Sequence, residues 1–313
     1  MKYTMKIALS SAIALSTLSP LTSAVHAQEQ HDQHALKQSS QKASNVNDNN
    51  YMDKNFDLRK RCFALVGAAE DSNLNYSSNY RSVSGDEDDG RGITAGIIGF
   101  TSGNGDMKDM LNYYNQISPN NPLSGDKDNM SHLSEDKLRK DWFNAFDHDH
   151  DNFVKAQNYE VKKECMNDAV KFAKKDGLGQ LGQYIYFDAL VKHGPGRDPS
   201  ASMSNWSFED LRAHAIENGI KPPSQGGDEA TYLQNFVGKR YDAINAENEE
   251  AKKEGRDMDT EGTTDRLKFQ INQIKKSNFD LKLPLDFNMN QTDFHLDQNK
   301  LNNFNDKDLA SLN

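Results

Sequence analysis

The chain has 313 residues, of which 35% are hydrophobic and 27% charged, so it is polar but retains enough apolar residues for a core. Its length allows one large domain or two modest ones. With 37 lysines and arginines against 47 aspartates and glutamates, the formal net charge is −10. This charge disfavours nucleic acid as a partner, because phosphate backbones would be repelled, and favours cationic partners.

Residues 1–27 have the organisation of a secretory signal peptide. Lys2 and Lys6 precede an apolar run of small residues, and Val25-His26-Ala27 places small residues at the two positions that signal peptidase reads. A membrane anchor is the alternative, but proline and hydroxyl residues interrupt the run and no stop-transfer pattern follows. We expect a secreted protein cleaved after Ala27. Its net charge would then be −12, since this segment carries two lysines and no acidic residue.

Two polar segments flank the part of the chain that is predicted to fold. Residues 28–50 contain almost no apolar side chains and are expected to form a flexible leader. Residues 288–313 are rich in Asn and Asp, and we expect this tail to pack loosely. The folded domain is therefore predicted to span residues 51–287.

Within this domain the hydrophobic periodicity indicates mostly helices. An apolar stripe from Leu58 to Ala69 places Glu70 at the C-terminal end of a core helix, beside apolar neighbours. A second stripe runs from Leu178 to Ala189 and ends at a Gly-Pro-Gly break, and Asp228 is a predicted N-cap of a third helix.

The stretch between residues 76 and 106 differs from the rest because it is rich in Gly, Ser and Asp. It contains β-compatible pieces near residues 79–83 and 93–100, which we expect to form the only sheet of the protein. The predicted fold class is therefore mainly α (α+β), a helical domain with a small β-sheet wing.

Two cysteines, Cys62 and Cys165, are compatible with two different states. In one state a disulfide closes a long loop, as export permits; in the other each thiol is a small buried side chain. The sequence leaves both states open, because it does not give the distance between the two Cα atoms.

Carboxylates are the residues most suggestive of chemistry. The loop from Gly85 to Gly92 holds four of them in succession, and its glycines let the backbone approach a ligand closely. A solvated acidic turn is the common alternative. Glu70 beside apolar neighbours should favour its protonated form, whereas a loop aspartate near Arg91 should remain ionised. Such a pair provides the acid and base that glycoside hydrolysis uses.

Two further ions occupy faces that are otherwise apolar. Asp188 lies three residues after Ile185, and Arg240 shares a face with Val237 and Ile244. Because a buried ion needs a partner, Asp188 and Arg240 are predicted to pair, whether as a purely structural bridge or as a brace for a cleft.

Other catalytic motifs and metal sites lack support in the sequence. The segment Asp147–Asp151 alternates Asp and His, but it has Asn152 where a calcium loop needs glycine, so a solvated turn is expected instead. The sequence contains neither GxSxG nor HExxH. We expect no metal and no cofactor.

Six motifs together resemble the glycoside hydrolase family 46 chitosanases. They span roughly residues 55–287, and their order and combination are more specific than any one of them. The matching stretches are Ala68–Ser72, Asp89–Phe100, Ser102–Met107, Gly182–Ala189, His193–Gly196 and Gln225–Leu233.

The resemblance implies a lysozyme-like fold of two helical lobes, with the substrate cleft between them and the β-sheet wing beside it. It also implies an endo-acting hydrolase of β-1,4-linked glucosamine that inverts the anomeric carbon. Catalysis would use Glu70 as general acid, Asp89 as general base and Thr94 to hold the attacking water. Substrate contacts would come from Arg91, Asp106 and His193.

The same resemblance implies a charge network behind the cleft, formed by Asp188, Arg240 and Arg256. Asp89 is preferred over its acidic neighbours because Gly-Arg-Gly-x-Thr follows it directly, although Ile93 stands where the family usually has an aromatic residue. The expected partner is chitosan or its oligosaccharides, with no nucleic acid or membrane partner and a monomeric state. Alternatives are a muramidase-like peptidoglycan hydrolase and a non-catalytic polysaccharide-binding protein.

Overall fold

A computed structural model describes residues 50–86, 91–128, 130, 133–255 and 262–313. All of them belong to residues 43–313, the second of two units into which the chain divides. The predicted signal segment and residues 28–49 of the predicted leader lie outside the described residues. No helix in the described ranges is both long enough and apolar enough to cross a bilayer.

Helices make up most of the described structure. The α-helices are α1 Phe56–Asp71, α2 Tyr76–Asn79, α3 Asp106–Ile117, α4 Glu135–His148, α5 His150–Val161, α6 Asn167–Asp176, α7 Gln180–His193, α8 Phe208–Ala215, α9 Glu229–Lys253, α10 Gly262–Lys275 and α11 Gln298–Asn302. A π-helical turn, Lys162–Met166, joins α5 to α6, and 3-10 turns cover Met203–Asn205, Glu217–Gly219, Pro223–Gln225 and Asp306–Leu312.

The first helix confirms the periodicity seen in the sequence. It begins where the Asn55 side chain accepts a hydrogen bond from the Leu58 amide, and it ends at Ser72, which adopts a left-handed conformation with φ 51°. The buried residues of α1 include Leu58, Cys62 and Leu65. Burial of this stripe holds the helix against the core and leaves Glu70, its penultimate residue, near the helix end.

A small antiparallel sheet forms where the Gly-rich stretch predicted it. Its strands are β1 Val83–Asp86, β2 Ile93–Ala95 and β3 Phe100–Thr101, in the order β1-β2-β3. Trp142 donates from its indole nitrogen to the Tyr80 carbonyl at 2.9 Å. Gln157 donates to the same carbonyl and accepts from the Ile97 amide. Because Trp142 and Gln157 are both fully buried, the wing is fixed on α4 and α5. The predicted fold class is confirmed.

The C-terminal segment forms regular structure anchored by buried leucines, so the expectation of a loose tail over residues 288–313 is wrong. A second sheet pairs β4 Leu285–Met289 with β5 Thr292–Leu296, so the first sheet is not the only β region, and β4 runs across the boundary proposed at residue 287. Leu296, Leu301, Leu309 and Leu312 are buried.

The polar residues of this segment serve as helix caps and anchors. Asp297 caps α11 by accepting from the Lys300 amide. The fully buried guanidinium of Arg59 donates to the Leu309 carbonyl at 3.2 Å and to Asn313 Oδ1 at 2.8 Å. The prediction of a loose tail was wrong because it took the Asn and Asp content as a sign of disorder, whereas these residues act here as caps and anchors.

The acidic and histidine-rich segment at the α4–α5 junction makes defined contacts, contrary to the expected solvated turn. Asp149 Oδ2 accepts hydrogen bonds from the hydroxyls of Tyr114, at 2.9 Å, and Ser118, at 2.5 Å. His150 Nε2 contacts Asp308 Oδ1 at 2.8 Å. Within the described ranges, no group of three or more His, Cys, Asp or Glu residues could hold a metal ion.

Candidate active site

Glu70 lies at the end of α1, where α10 contributes its closest charged partner. The guanidinium of Arg266 donates to Glu70 Oε1, and 29% of the Glu70 side chain remains exposed. The expectation that Glu70 is desolvated among apolar neighbours is therefore wrong. The stripe of α1 is buried, but residue 70 lies beyond it, facing solvent and an arginine that is 196 positions away in the sequence.

Behind Glu70 a chain of charges connects three more helices. Arg240 Nη1 on α9 lies 2.9 Å from Asp188 Oδ2 on α7, and both side chains are completely buried. Arg266 Nε approaches the other oxygen of Asp188 at 3.6 Å. Gln270 donates to Asp188 and accepts from Arg240, which holds both groups in place. The predicted pairing of Asp188 with Arg240 is confirmed.

The charge state of Asp188 depends on these two arginines. Burial disfavours an ionised carboxyl, but the positive charges of Arg266 and Arg240 outweigh it and hold the pKa of Asp188 below its usual value. Asp188 is therefore a buried anion, and removing either arginine would leave it undercompensated.

Arg266 is the network residue that the sequence analysis missed. Arg256, which was expected in the network, lies outside the described residues. Arg266, Gln270 and Ile274 recur every fourth residue on the buried face of α10. Because two of these three residues are polar, the row does not read as an ion on an apolar face, the pattern that identified Arg240.

The wing carries two of the other expected site residues. Thr94 in β2 pairs with Gly85 of β1 and with Thr101 of β3. Arg91 is exposed, and its carbonyl accepts the Gly103 amide at 2.8 Å. Gly92 between them has φ +74°, and a Cβ there would collide with the Ser102 hydroxyl, so this position requires glycine. Asp89, the expected general base, lies outside the described residues.

Asp106 is the first residue of α3 and is fixed through one of its two carboxylate oxygens. Oδ1 accepts from the Met107 amide at 2.8 Å, from the Thr101 amide at 3.0 Å and from the Thr101 hydroxyl at 3.3 Å. Burial raises the pKa of Asp106 even against these hydrogen bonds, which favour the anion. All three bonds use Oδ1, and within the described ranges no hydrogen bond reaches Oδ2.

The structure brings Glu70 and Asp106 into one neighbourhood. Cys165 is a buried free thiol whose pKa is raised by burial and then by the charges of Glu164, Asp106, Glu70 and Glu160. Cys62 is also a buried free thiol, and burial raises its pKa to about 12, so the two cysteines are not joined.

His193 ends α7 beside the arginine network. Its pKa lies well below the usual value because of burial and the positive charges of Arg240, Lys192 and Arg266. The imidazole is therefore neutral at pH 7. Its Nε2 atom is buried without a hydrogen-bond partner among the described residues.

Asp71 follows Glu70 and is the carboxyl that actually experiences desolvation. Burial raises its pKa to about 7, against a hydrogen bond that the Ser82 hydroxyl donates at 2.9 Å; the Glu70 charge adds to the rise. Since Ser82 leads into β1, this bond also ties the end of α1 to the wing.

We expect Asp71→Asn to increase stability progressively as pH rises above about 4, with the full gain reached above about pH 7. The folded protein keeps the Asp71 proton up to about pH 7, whereas the unfolded chain releases it near pH 4, so wild-type stability falls as pH rises between these values. Asparagine resembles the protonated acid and does not ionise. The variant should gain on the order of 2 kcal/mol over wild type between pH 5 and pH 8. Urea unfolding at both pH values measures this gain, and a gain independent of pH would contradict the assignment.

Comparison with known proteins identifies the family. The sequence profile of glycosyl hydrolase family 46 matches residues 64–285. A chitosanase from Streptomyces sp. (strain N174) is 37% identical over 229 residues, covering 71% of this chain and 75% of that protein. A chitosanase from Nocardioides sp. (strain N106) is 38% identical over 231 residues, with the same coverage of both chains.

A solved structure described as a co-crystal of chitosanase OU01 with substrate is 30% identical. It superposes with a TM-score of 0.66 over 76% of this chain and 96% of that one. The chain therefore belongs to glycosyl hydrolase family 46. This membership confirms the family that the six sequence motifs indicated and the enzyme class, a glycosidase.

Proposed function

We propose that this chain is an endo-acting chitosanase that cleaves β-1,4 linkages between glucosamine residues with inversion. The observation that carries the proposal is Glu70 at the end of α1, oriented by Arg266 and joined through it to the buried Asp188–Arg240 pair. Membership of family 46 and similarity to relatives named chitosanases support the substrate class.

In the proposed reaction Glu70 is the general acid and protonates the oxygen of the leaving sugar. Covering Glu70 with sugar rings would remove the water now around it, and desolvation favours the protonated form that an acid needs. Asp89 is proposed as the general base that activates water on the opposite face of the sugar, with Thr94 helping to hold that water. Inversion requires the two carboxyls to be about 6.5–9.5 Å apart.

Substrate recognition is proposed to rest on charge. Chitosan is a polycation when its amines are protonated, and the chain carries a net charge of −10. Asp106 is proposed to accept a substrate ammonium through Oδ2, the oxygen to which the described residues donate no hydrogen bond. Arg91 would orient the base, and His193, neutral at pH 7, would line the cleft without repelling the amines.

We further propose that the enzyme is secreted and acts as a monomer without a cofactor. Secretion is supported by the basic start, apolar run and small-residue cleavage site of residues 1–27. Export would bring the enzyme to a polymer too large to enter a cell.

The decisive experiment follows the anomeric proton of the first products from fully deacetylated chitosan by NMR. We expect the α-anomer to appear first, because inversion of a β-linkage gives α. An initial β-anomer would exclude Asp89 as the base of an inverting reaction. Parallel incubation with peptidoglycan separates the muramidase alternative, and absence of cleavage of either polymer would favour a binding protein.

A further inference from the structure

A strip of charged and aromatic side chains continues from the candidate active site along one face of the molecule. We define the α3–α5 strip by Asp109 and Tyr113 on α3, Tyr159 and Glu160 on α5, and Lys163 and Glu164 in the π-helical turn. Asp109 faces Lys163, and Tyr113 faces Tyr159, so the two segments run antiparallel along the strip.

At one end of the strip three carboxylates surround a single ammonium group. Lys163 Nζ lies 2.9 Å from Asp109, 2.9 Å from Glu160 and 3.1 Å from Glu164. Hydrogen bonding to Asp109 first, and then to the two glutamates, raises the pKa of Lys163. One positive charge among three negative ones leaves this end with a net charge of −2. We call this end of the strip the acidic cradle, because its carboxylates carry negative charge that Lys163 does not neutralise and that attracts an ammonium group.

Glu160 gives independent support for a ligand at this cradle. Its side chain is 1% exposed, and while Oε1 pairs with Lys163, Oε2 is buried without a hydrogen-bond partner among the described residues. Burial raises the pKa of Glu160 despite the neighbouring lysine. A buried carboxylate oxygen without a donor is costly, so Glu160 adds undercompensated negative charge behind Asp109 and Glu164, whose side chains are 56% and 30% exposed.

The other end of the strip presents a fixed aromatic ring. The rings of Tyr113 and Tyr159 stack with centroids 3.9 Å apart and an interplanar angle of 15°. Tyr159 is 48% exposed although it is a large hydrophobic side chain. Stacking on Tyr113 holds this ring flat, so that it offers a rigid face to a cation or a sugar.

The strip shares α3 with Asp106, and Asp109 and Tyr113 follow Asp106 at positions i+3 and i+7, on one face of that helix. Asp106 begins α3, and Tyr113 lies seven residues further along the same helix, about 10 Å at the helical rise. The charges of Glu70 and Asp106 act on Cys165 together with those of Glu160 and Glu164. An oligosaccharide whose amine contacts Asp106 would reach the strip by following this face of α3.

We propose that the α3–α5 strip is a binding site for glucosamine units of a long polymer, beyond those that contact Glu70 and Asp106. An ammonium binds beside Asp109 and Glu164, the two cradle carboxylates that reach solvent, and the next unit lies against the Tyr159 ring. The occupant is a protonated aminosugar, since only a cation complements a site of this charge, and the assignment rests on the proposed chitosanase function. The site raises affinity for long chains and leaves the chemical step unchanged.

The test compares Tyr159→Ala with Tyr241→Ala, because Tyr241 on α9 is equally exposed, at 46%, and lies outside the strip. We expect Tyr159→Ala to raise KM for fully deacetylated chitosan polymer about two- to fivefold, the effect of losing one exposed cation–π contact. The kcat on the polymer, and both constants for a glucosamine tetramer, should match wild type. Unchanged tetramer kinetics also show that the variant is folded.

A second variant, Asp109→Asn, tests the acidic cradle against Asp128→Asn, which also removes an exposed acid paired with a lysine, Lys127, and lies outside the strip. Asp109→Asn should weaken polymer binding more at low than at high salt, because the lost attraction is screened. The control should leave binding unchanged.

Three outcomes would overturn the inference. Equal KM values for both tyrosine variants would show that the strip binds nothing. A matching loss on the tetramer would place Tyr159 among the contacts of the catalytic site itself. Absence of chitosan cleavage by the wild-type protein would contradict the proposed function together with the inference, whereas the first two outcomes leave the proposed function intact.

Discussion

Glu70→Gln should reduce chitosan hydrolysis by about 10²- to 10⁴-fold while leaving chitosan affinity nearly unchanged. The amide keeps the shape of the carboxyl and can still accept the hydrogen bond of Arg266, but it has no acidic proton to give to the leaving oxygen. Reducing-sugar release measures turnover, and calorimetric titration with a glucosamine hexamer measures affinity. The loss should therefore appear in kcat and not in binding.

The matched control for this substitution is Glu217→Gln. Glu217 is also exposed and ion-paired, with Lys239 and His214, but its 3-10 turn carries none of the site residues. It should retain wild-type turnover. If Glu70→Gln kept activity comparable to this control, Glu70 would not be the proton donor, and the proposed mechanism would have to be abandoned.

Local periodicity explains why the sequence predicted the helices and the wing well. The apolar residues from Leu58 to Ala69 recur at helical spacing, which predicts a helix. The Gly-rich stretch leading into Ile93–Ala95 has a composition that favours short strands and turns. An ion on an apolar helix face needs a partner of opposite charge, however distant that partner is in the sequence. The Asp188–Arg240 pair could therefore also be predicted from the sequence.

What the sequence could not supply are contacts made across the fold. Glu70 was assigned the environment of its own helix, but its surroundings are set by Arg266, which arrives from α10. The C-terminal segment was judged by composition, although a few well-placed leucines and the buried Arg59 hold it in place. Both errors have the same origin, because one-dimensional patterns report which face of an element is apolar but not what covers it.

The second large effect is expected at Arg266, which links Glu70 to Asp188. Arg266→Ala removes the partner of Glu70 and one of the two arginines that compensate the buried Asp188 carboxylate. Breaking a buried ion pair on one side costs about 3–5 kcal/mol, since the remaining charge stays in a low-dielectric site. Urea unfolding should show a loss of this size, whereas Arg139→Ala, at an exposed Glu135 pair, should cost less than about 1 kcal/mol.

Arg266→Lys separates positioning of Glu70 from structural support. Lysine keeps a positive charge near Asp188, but its single ammonium does not reproduce the planar fork that reaches Asp188 through Nε and Glu70 through Nη2. We expect this variant to recover most of the stability lost in Arg266→Ala while kcat remains reduced by roughly tenfold or more and KM stays near wild type. Recovery of kcat in proportion to stability would instead show that Arg266 only holds the fold together, because an orienting role depends on the geometry of the guanidinium and a purely structural role depends on its charge.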